Sequence, residues 1–167
     1  MAERSIEPLA EPRLRPLRRA DGEPVSKWAE LAERHRGERL LILLAGYPDP
    51  DNIASGLALQ HLARLHGVES RLLSFHEVSH QENQALVTQL ELDLWLYDGR
   101  CDLAAYAGYA LVDTQRLDPQ MIETLAGKAF VACIDHHKRI EETVAEFTDV
   151  REEVGSTAAI MTEYLRH

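Results

Sequence analysis

The 167-residue chain has only two cysteines, Cys101 and Cys133, and they stand 32 positions apart. That excludes a disulfide-built scaffold and a cysteine zinc site, and it suits a reducing cytoplasm. No apolar run reaches the ~18–20 residues of a membrane span. The opening segment has no apolar h-region, so no secretory signal is expected and the expected location is cytoplasmic. Internal repeats and low-complexity blocks are absent. Basic charge is scarce: the formal net charge is −10, and residues 41–167 hold nine Lys/Arg against twenty Asp/Glu. Duplex DNA binders draw their affinity from neutralising phosphates, so a duplex DNA preference is not expected. An acidic body can still handle phosphate if its carboxylates hold divalent cations. The basic stretch Arg13, Arg15, Arg18, Arg19 is broken by Pro12 and Pro16 and reads as an irregular arm. What is present is ordinary globular material, 45% hydrophobic and 28% charged. The length fits one domain with an appended arm.

Periodicity organises the chain as strands alternating with helices. Residues 24–37 read as a helix, with Ser26 as N-cap and Gly37 as stop. The continuous apolar run Leu40–Leu44 reads as a strand buried on both faces. Pro48-Asp49-Pro50-Asp51 breaks it, and residues 52–66 form the next helix, with Ile53, Leu57, Leu59, Leu62 and Leu65 largely inward. Residues 70–75, 109–112, 129–134 and 146–150 read as further strands. Residues 119–126 and a segment running from Gly155 to Arg166 read as helices. Ser79-His80-Gln81-Glu82 matches a capping box ahead of a helix through Leu90. The expected fold is α/β, a mainly parallel sheet with helices on both faces, with ligands beyond the carboxyl ends of the strands.

The acids and histidines fall where the strands end. Asp49 and Asp51 follow the first, Asp113 ends one, Asp135-His136-His137 ends another, and Asp149 closes the last. Carboxylates crowded onto one rim repel unless something positive lies between them, and divalent cations are the simplest answer. Mixed Asp and His ligation suits a transition metal such as Mn²⁺ better than Ca²⁺. A haloacid-dehalogenase-like use of Asp49-Pro50-Asp51 is disfavoured, because it leaves His136-His137 unexplained.

Four segments, taken in order, resemble the DHH phosphoesterase superfamily: Tyr47–Ser55, Leu111–Thr114, Ile134-Asp135-His136-His137, and Asp149-Val150-Arg151 followed by Gly155-Ser156-Thr157. Ser79–Asn83 and Thr162–Leu165 are similar to the nanoRNase/pAp-phosphatase branch. The resemblance implies an arm and helix over 1–37 and the family's N-terminal domain over 38–167. It implies two Mn²⁺ ions. Asp49 would hold the first, Asp51 the second, and Asp113 would bridge them, with His136 and Asp149 completing the second site. His137 would face the scissile phosphate, and Asp135 would orient the histidine pair. The implied reaction is hydrolysis of a phosphate ester in a nucleotide such as pAp, a dinucleotide or a short single-stranded oligonucleotide, through metal-activated water. The helix start Gly155-Ser156-Thr157 would offer N–H groups to the substrate anion; read from the residues alone, it serves equally as a plain N-cap.

Two departures from the family pattern stand out. Ala45 occupies the position, four before Asp49, where the family has a histidine on the first metal, which puts that first site in doubt. The family's usual C-terminal substrate-binding domain does not follow residue 167, so either a truncated chain or a single-lobe form is expected, with a homodimer by analogy. The alternative to an enzyme is a degenerate domain of this family that binds nucleotide or metal in a regulatory role without efficient turnover.

Overall fold

A computed structural model describes residues 22–141 and 143–167. The basic arm containing Arg13, Arg15, Arg18 and Arg19 lies outside them. Six strands alternate with five helices: α1 (Glu23–Arg34), β1 (Arg39–Leu44), α2 (Pro50–Leu65), β2 (Glu69–Ser74), α3 (Gln81–Gln89), β3 (Leu94–Leu96), β4 (Gly108–Val112), α4 (Pro119–Thr124), β5 (Ala129–Asp135), β6 (Phe147–Val150) and α5 (Thr157–Leu165).

All strand pairings are parallel, in the order β3-β2-β1-β4-β5-β6. The parallel α/β sheet is therefore as expected. Alternation along β1 sends Leu40, Ile42 and Leu44 to one face and Leu41 and Leu43 to the other. The first face is covered by α1, α2 and α5 through Trp28, Leu31, Ile53, Leu59, Ile160 and Tyr164. The second is covered by α4, through Met121 and Leu125, and by connecting segments around Tyr106. Both faces are dry, which is why the strands read as unbroken apolar runs. Among the described residues no helix is long and apolar enough to cross a membrane.

The strand order reverses between β1 and β4, because the chain first builds outward through β2 and β3 and then returns to the other side of β1. At such a switch point the loops after neighbouring strands part and leave a crevice at the carboxyl ends. The loops after β1 and β4 carry Asp49, Asp51 and Asp113.

Several local expectations are corrected. The cap of α1 is Gly22, with Pro24 in its first turn; Ser26 lies one turn inside and bonds back to Gly22 O at 2.9 Å. Helix α2 begins at Pro50, since a proline at N1 loses no helical hydrogen bond, and its cap is Asp49. His80 rather than Ser79 caps α3, and no side chain bonds there, so the capping box does not form. Leu65 is exposed rather than inward. The edge strand β3 was missed, because three residues are too few to display a period.

Candidate metal centre

Asp113 sits just past β4 in a left-handed backbone conformation, φ 59°. Aspartate and asparagine tolerate that region better than other non-glycine residues. The turn aims its carboxylate at the start of α5, where Thr157 Oγ1 donates to Asp113 Oδ1 at 2.9 Å. Asp51, in the first turn of α2, reaches the same helix start: its Oδ2 accepts from Thr157 N at 2.9 Å and its Oδ1 from Ala158 N at 2.7 Å. The two acids thus come from the loops on either side of the switch point and meet at one helix N-terminus. That terminus is a favourable place for negative charge.

The histidine pair completes the cluster. His136 Nε2 lies 3.7 Å from Asp51 Oδ2 and 3.5 Å from Asp113 Oδ1. Its Nδ1 is 3.2 Å from the carbonyl of Val154, an acceptor only, so Nδ1 donates there and Nε2 faces the acids. His137 Nδ1 donates to Asp135 Oδ1 at 2.8 Å. Asp135 is fully buried, and the same oxygen accepts from the backbone N–H of His136 at 2.8 Å. Asp135 therefore fixes both the start of the loop and the His137 ring. Its other oxygen accepts from Gln115 Nε2 at 2.7 Å. The hydrogen bond to Asp135 raises the pKa of His137, whose ring is exposed on its other side.

Ligand atoms of Asp113, His136 and His137 all lie within 4.8 Å of one another. Burial pushes the Asp113 carboxyl up to about 6, and the charges of Asp51 and Asp49 push in the same direction against the Thr157 hydrogen bond. A half-buried acid held among like charges, beside a histidine whose Nε2 is turned inward, is a donor set that fits a divalent cation. The native value of about 6 lies above the roughly 3.9 of an unfolded aspartate. Asp113 therefore supports folding fully at low pH, and that support is lost as pH rises through about 6. A cation between the acids reverses the loss. The gain in melting temperature on adding Mn²⁺ is expected to be small near about pH 5 and clearly larger near about pH 7.5. Equal gains at both would place the ion elsewhere.

The remaining expected residues are placed as follows. Asp49 is exposed and caps α2, its Oδ1 accepting from Asn52 N at 2.9 Å. It lies close enough to Asp113 for its charge to be felt there. Ala45 offers no donor. His76 turns to Asp118 Oδ2 at 3.2 Å and packs at a tilt against Tyr47, and His80 caps α3, so no hydrogen bond ties either histidine to Asp49. Asp149 is gripped by Arg151, which donates to its two oxygens at 2.7–3.1 Å, and by the Tyr164 hydroxyl at 2.7 Å. The structure thus assigns the Asp149 carboxylate to a guanidinium and does not gather it with Asp113 and His136.

Ser156 is the N-cap of α5, and the N–H groups of Thr157 and Ala158 donate to Asp51 while that of Ala159 donates to Ser156 Oγ at 3.1 Å, so the first turn of α5 is engaged within the chain and Gly155 and Ser156 lie just ahead of it. Sequence reasoning missed Gln115 as a support and Thr157 Oγ1 as a partner of Asp113. The only signal was their place beside recognised motifs. The Cys133 thiol is buried and pushed up to about 12 by that burial, so it is inert, as expected.

A parallel sheet that gathers Asp and His at its switch point from the ends of three strands, β1, β4 and β5, defines a class of α/β phosphate-handling and metal-binding sites. The family model "DHH family, N-terminal domain" matches residues 39–167, and the chain belongs to the DHH family. It is 38% identical over 136 residues to the uncharacterized protein MJ1633 of Methanocaldococcus jannaschii, a match covering 81% of this chain and 27% of that one. The chain thus spans about a quarter of that relative's length. In fold it is similar to an exopolyphosphatase-related protein from Bacteroides fragilis, with a TM-score of 0.66, 18% identity, and coverage of 86% of this chain and 43% of the other.

Proposed function

We propose that this chain is the metal-binding half of a phosphoesterase that hydrolyses a phosphate ester in a nucleotide such as pAp or in a short single-stranded oligonucleotide. The observation that carries the reading is the convergence of Asp51, Asp113 and His136 at the switch point, with the His136 ring held by the Val154 carbonyl so that Nε2 faces the acids. Membership of the DHH family and the fold it shares with an exopolyphosphatase-related protein support it. Asp51, Asp113 and His136 would hold one divalent cation, Mn²⁺ by the donor chemistry. Asp49 and Asp113 would hold a second only weakly, for lack of a donor at Ala45. When bound, such ions polarise phosphoryl oxygens and make water a competent nucleophile near neutral pH.

The rest is done by the chain. Asp135 holds the His137 proton on Nδ1 and stabilises the charged ring, so the exposed edge of His137 can donate to a phosphoryl oxygen. Thr157 and the start of α5 keep Asp113 and Asp51 from swinging apart. Ala45 favours a second reading, a domain of this family that binds nucleotide and metal without efficient turnover. Assay of phosphate release from pAp and of mononucleotide release from dinucleotides, with Mn²⁺ and with EDTA, separates them. Mn²⁺-dependent release abolished by His137→Ala supports hydrolysis. Saturable Mn²⁺ binding with no release from any of these substrates supports the second reading.

A further inference from the structure

Arg116, Lys138 and Arg139 line one cavity of about 720 Å³ together with Asp113 and His137. In a body that is strongly acidic, this gathering of cations beside the metal-binding acids is unusual. All three are exposed, and among the described residues none has a carboxylate oxygen within 4.0 Å of its side-chain nitrogens. By contrast Lys27, Arg34, Arg36, Arg39, Arg71 and Arg151 each have such a partner.

The loops that carry these cations are braced. Gln115, itself buried, donates through Nε2 to the carbonyl of Lys138 at 3.1 Å as well as to Asp135, and its Oε1 accepts from Ile140 N at 2.8 Å. Arg139 N donates to Glu152 Oε1 at 2.9 Å. One side chain therefore fixes the loop after β5 against the loop after β4, and Arg116 follows it directly in sequence. Braced cations lose less conformational freedom when a ligand arrives. Glu141 on the same rim offsets one positive charge, and the buried Asp135 is engaged by Gln115 and the histidines. Asp113 on the same lining belongs with the metal-binding acids, and Glu152 meets Arg139 only at its backbone, so the side chains of Arg116, Lys138 and Arg139 are the cations this rim offers to an anion.

We propose that Arg116, Lys138 and Arg139 form an anion subsite for a second phosphate group, so that the preferred ligand is a nucleotide bearing two phosphates, one at His137 and one on this rim. The proposal rests on the phosphoesterase reading for the first phosphate and on the rim alone for the second.

The test is an NMR titration, followed through backbone amides, with AMP, ADP and pAp in EDTA, where neither turnover nor chelation contributes. ADP offers an adjacent second phosphate and pAp a remote one. At least one is expected to bind roughly tenfold more tightly than AMP. The variant Arg116→Gln/Lys138→Gln/Arg139→Gln should bring that ligand to the affinity of AMP. Arg64→Gln, at the opposite ends of the strands, should keep the preference, and rising salt should weaken it. Equal affinity for all three ligands, or a preference that survives in the triple variant, overturns the subsite. A chain that binds no Mn²⁺ but keeps the preference overturns the phosphoesterase reading and leaves the subsite standing. Bound Mn²⁺ without the preference does the reverse.

Discussion

Asp113→Asn is expected to fold, to melt above the parent chain in EDTA at neutral pH, and to lose nearly all stabilisation by Mn²⁺. Asparagine suits the φ of 59° at this position, and its Oδ1 can still accept from Thr157 Oγ1, so the turn survives. What disappears is a negative charge half-buried beside Asp51 and Asp49, the arrangement that pushes the Asp113 carboxyl up to about 6. If that relief is worth about 1 kcal/mol, the melting temperature rises by roughly 2–4 °C in a domain of this size. Metal affinity should move the other way. Loss of a group that merely supports a ligand costs about 10–100-fold in affinity, so losing this carboxylate should cost at least that, and any phosphate release should fall with it. Differential scanning fluorimetry with and without Mn²⁺ reads both effects. A variant that melts lower than the parent in EDTA would show that Asp113 is a structural acid, and one that keeps its Mn²⁺ response would place the ion elsewhere.

The opposite movement of stability and binding explains why this site was so legible in the sequence. Acids crowded at strand ends repel one another, so Asp49, Asp51, Asp113 and the Asp135-His136-His137 run pointed to chemistry from the sequence alone. The parallel sheet was legible for a different reason: strands buried on both faces must be apolar throughout, as Leu40–Leu44 is. What could not be read was partnership across the chain. Arg151 stands two residues from Asp149, but nothing in that spacing announces that it and Tyr164 would claim the carboxylate, nor does Gln115 announce that it braces a loop more than twenty residues away. The capping box at Ser79 failed because a local pattern offers a bond without compelling it, and His80 took the cap position instead. At α5 the motif Gly155-Ser156-Thr157 correctly marks a helix start, but the anion that fills it is the chain's own Asp51, supplied from more than a hundred residues earlier.

Ala45→His is expected to add Mn²⁺ binding and raise turnover. Ala45 lies just beyond the end of β1 on the loop that leads to Asp49, partly buried beside the second face of the sheet, while Tyr47 on the same loop is exposed against His76. Asp49 is exposed, and it and Asp113 are the only donors expected for a first ion, which leaves that ion short of protein ligands and weakly held. An imidazole added at position 45 supplies a neutral donor without adding to the repulsion among the acids, so affinity should rise about tenfold or more. Calorimetric titration should move from one well-held Mn²⁺ per chain towards two, and phosphate release should rise in parallel if the scaffold is catalytic but impaired. A second ion without added turnover would favour the reading of this domain as a binder of nucleotide and metal. An unchanged count would mean that the loop after β1 does not present position 45 to Asp49, and that Asp51, Asp113 and His136 are the metal centre by themselves.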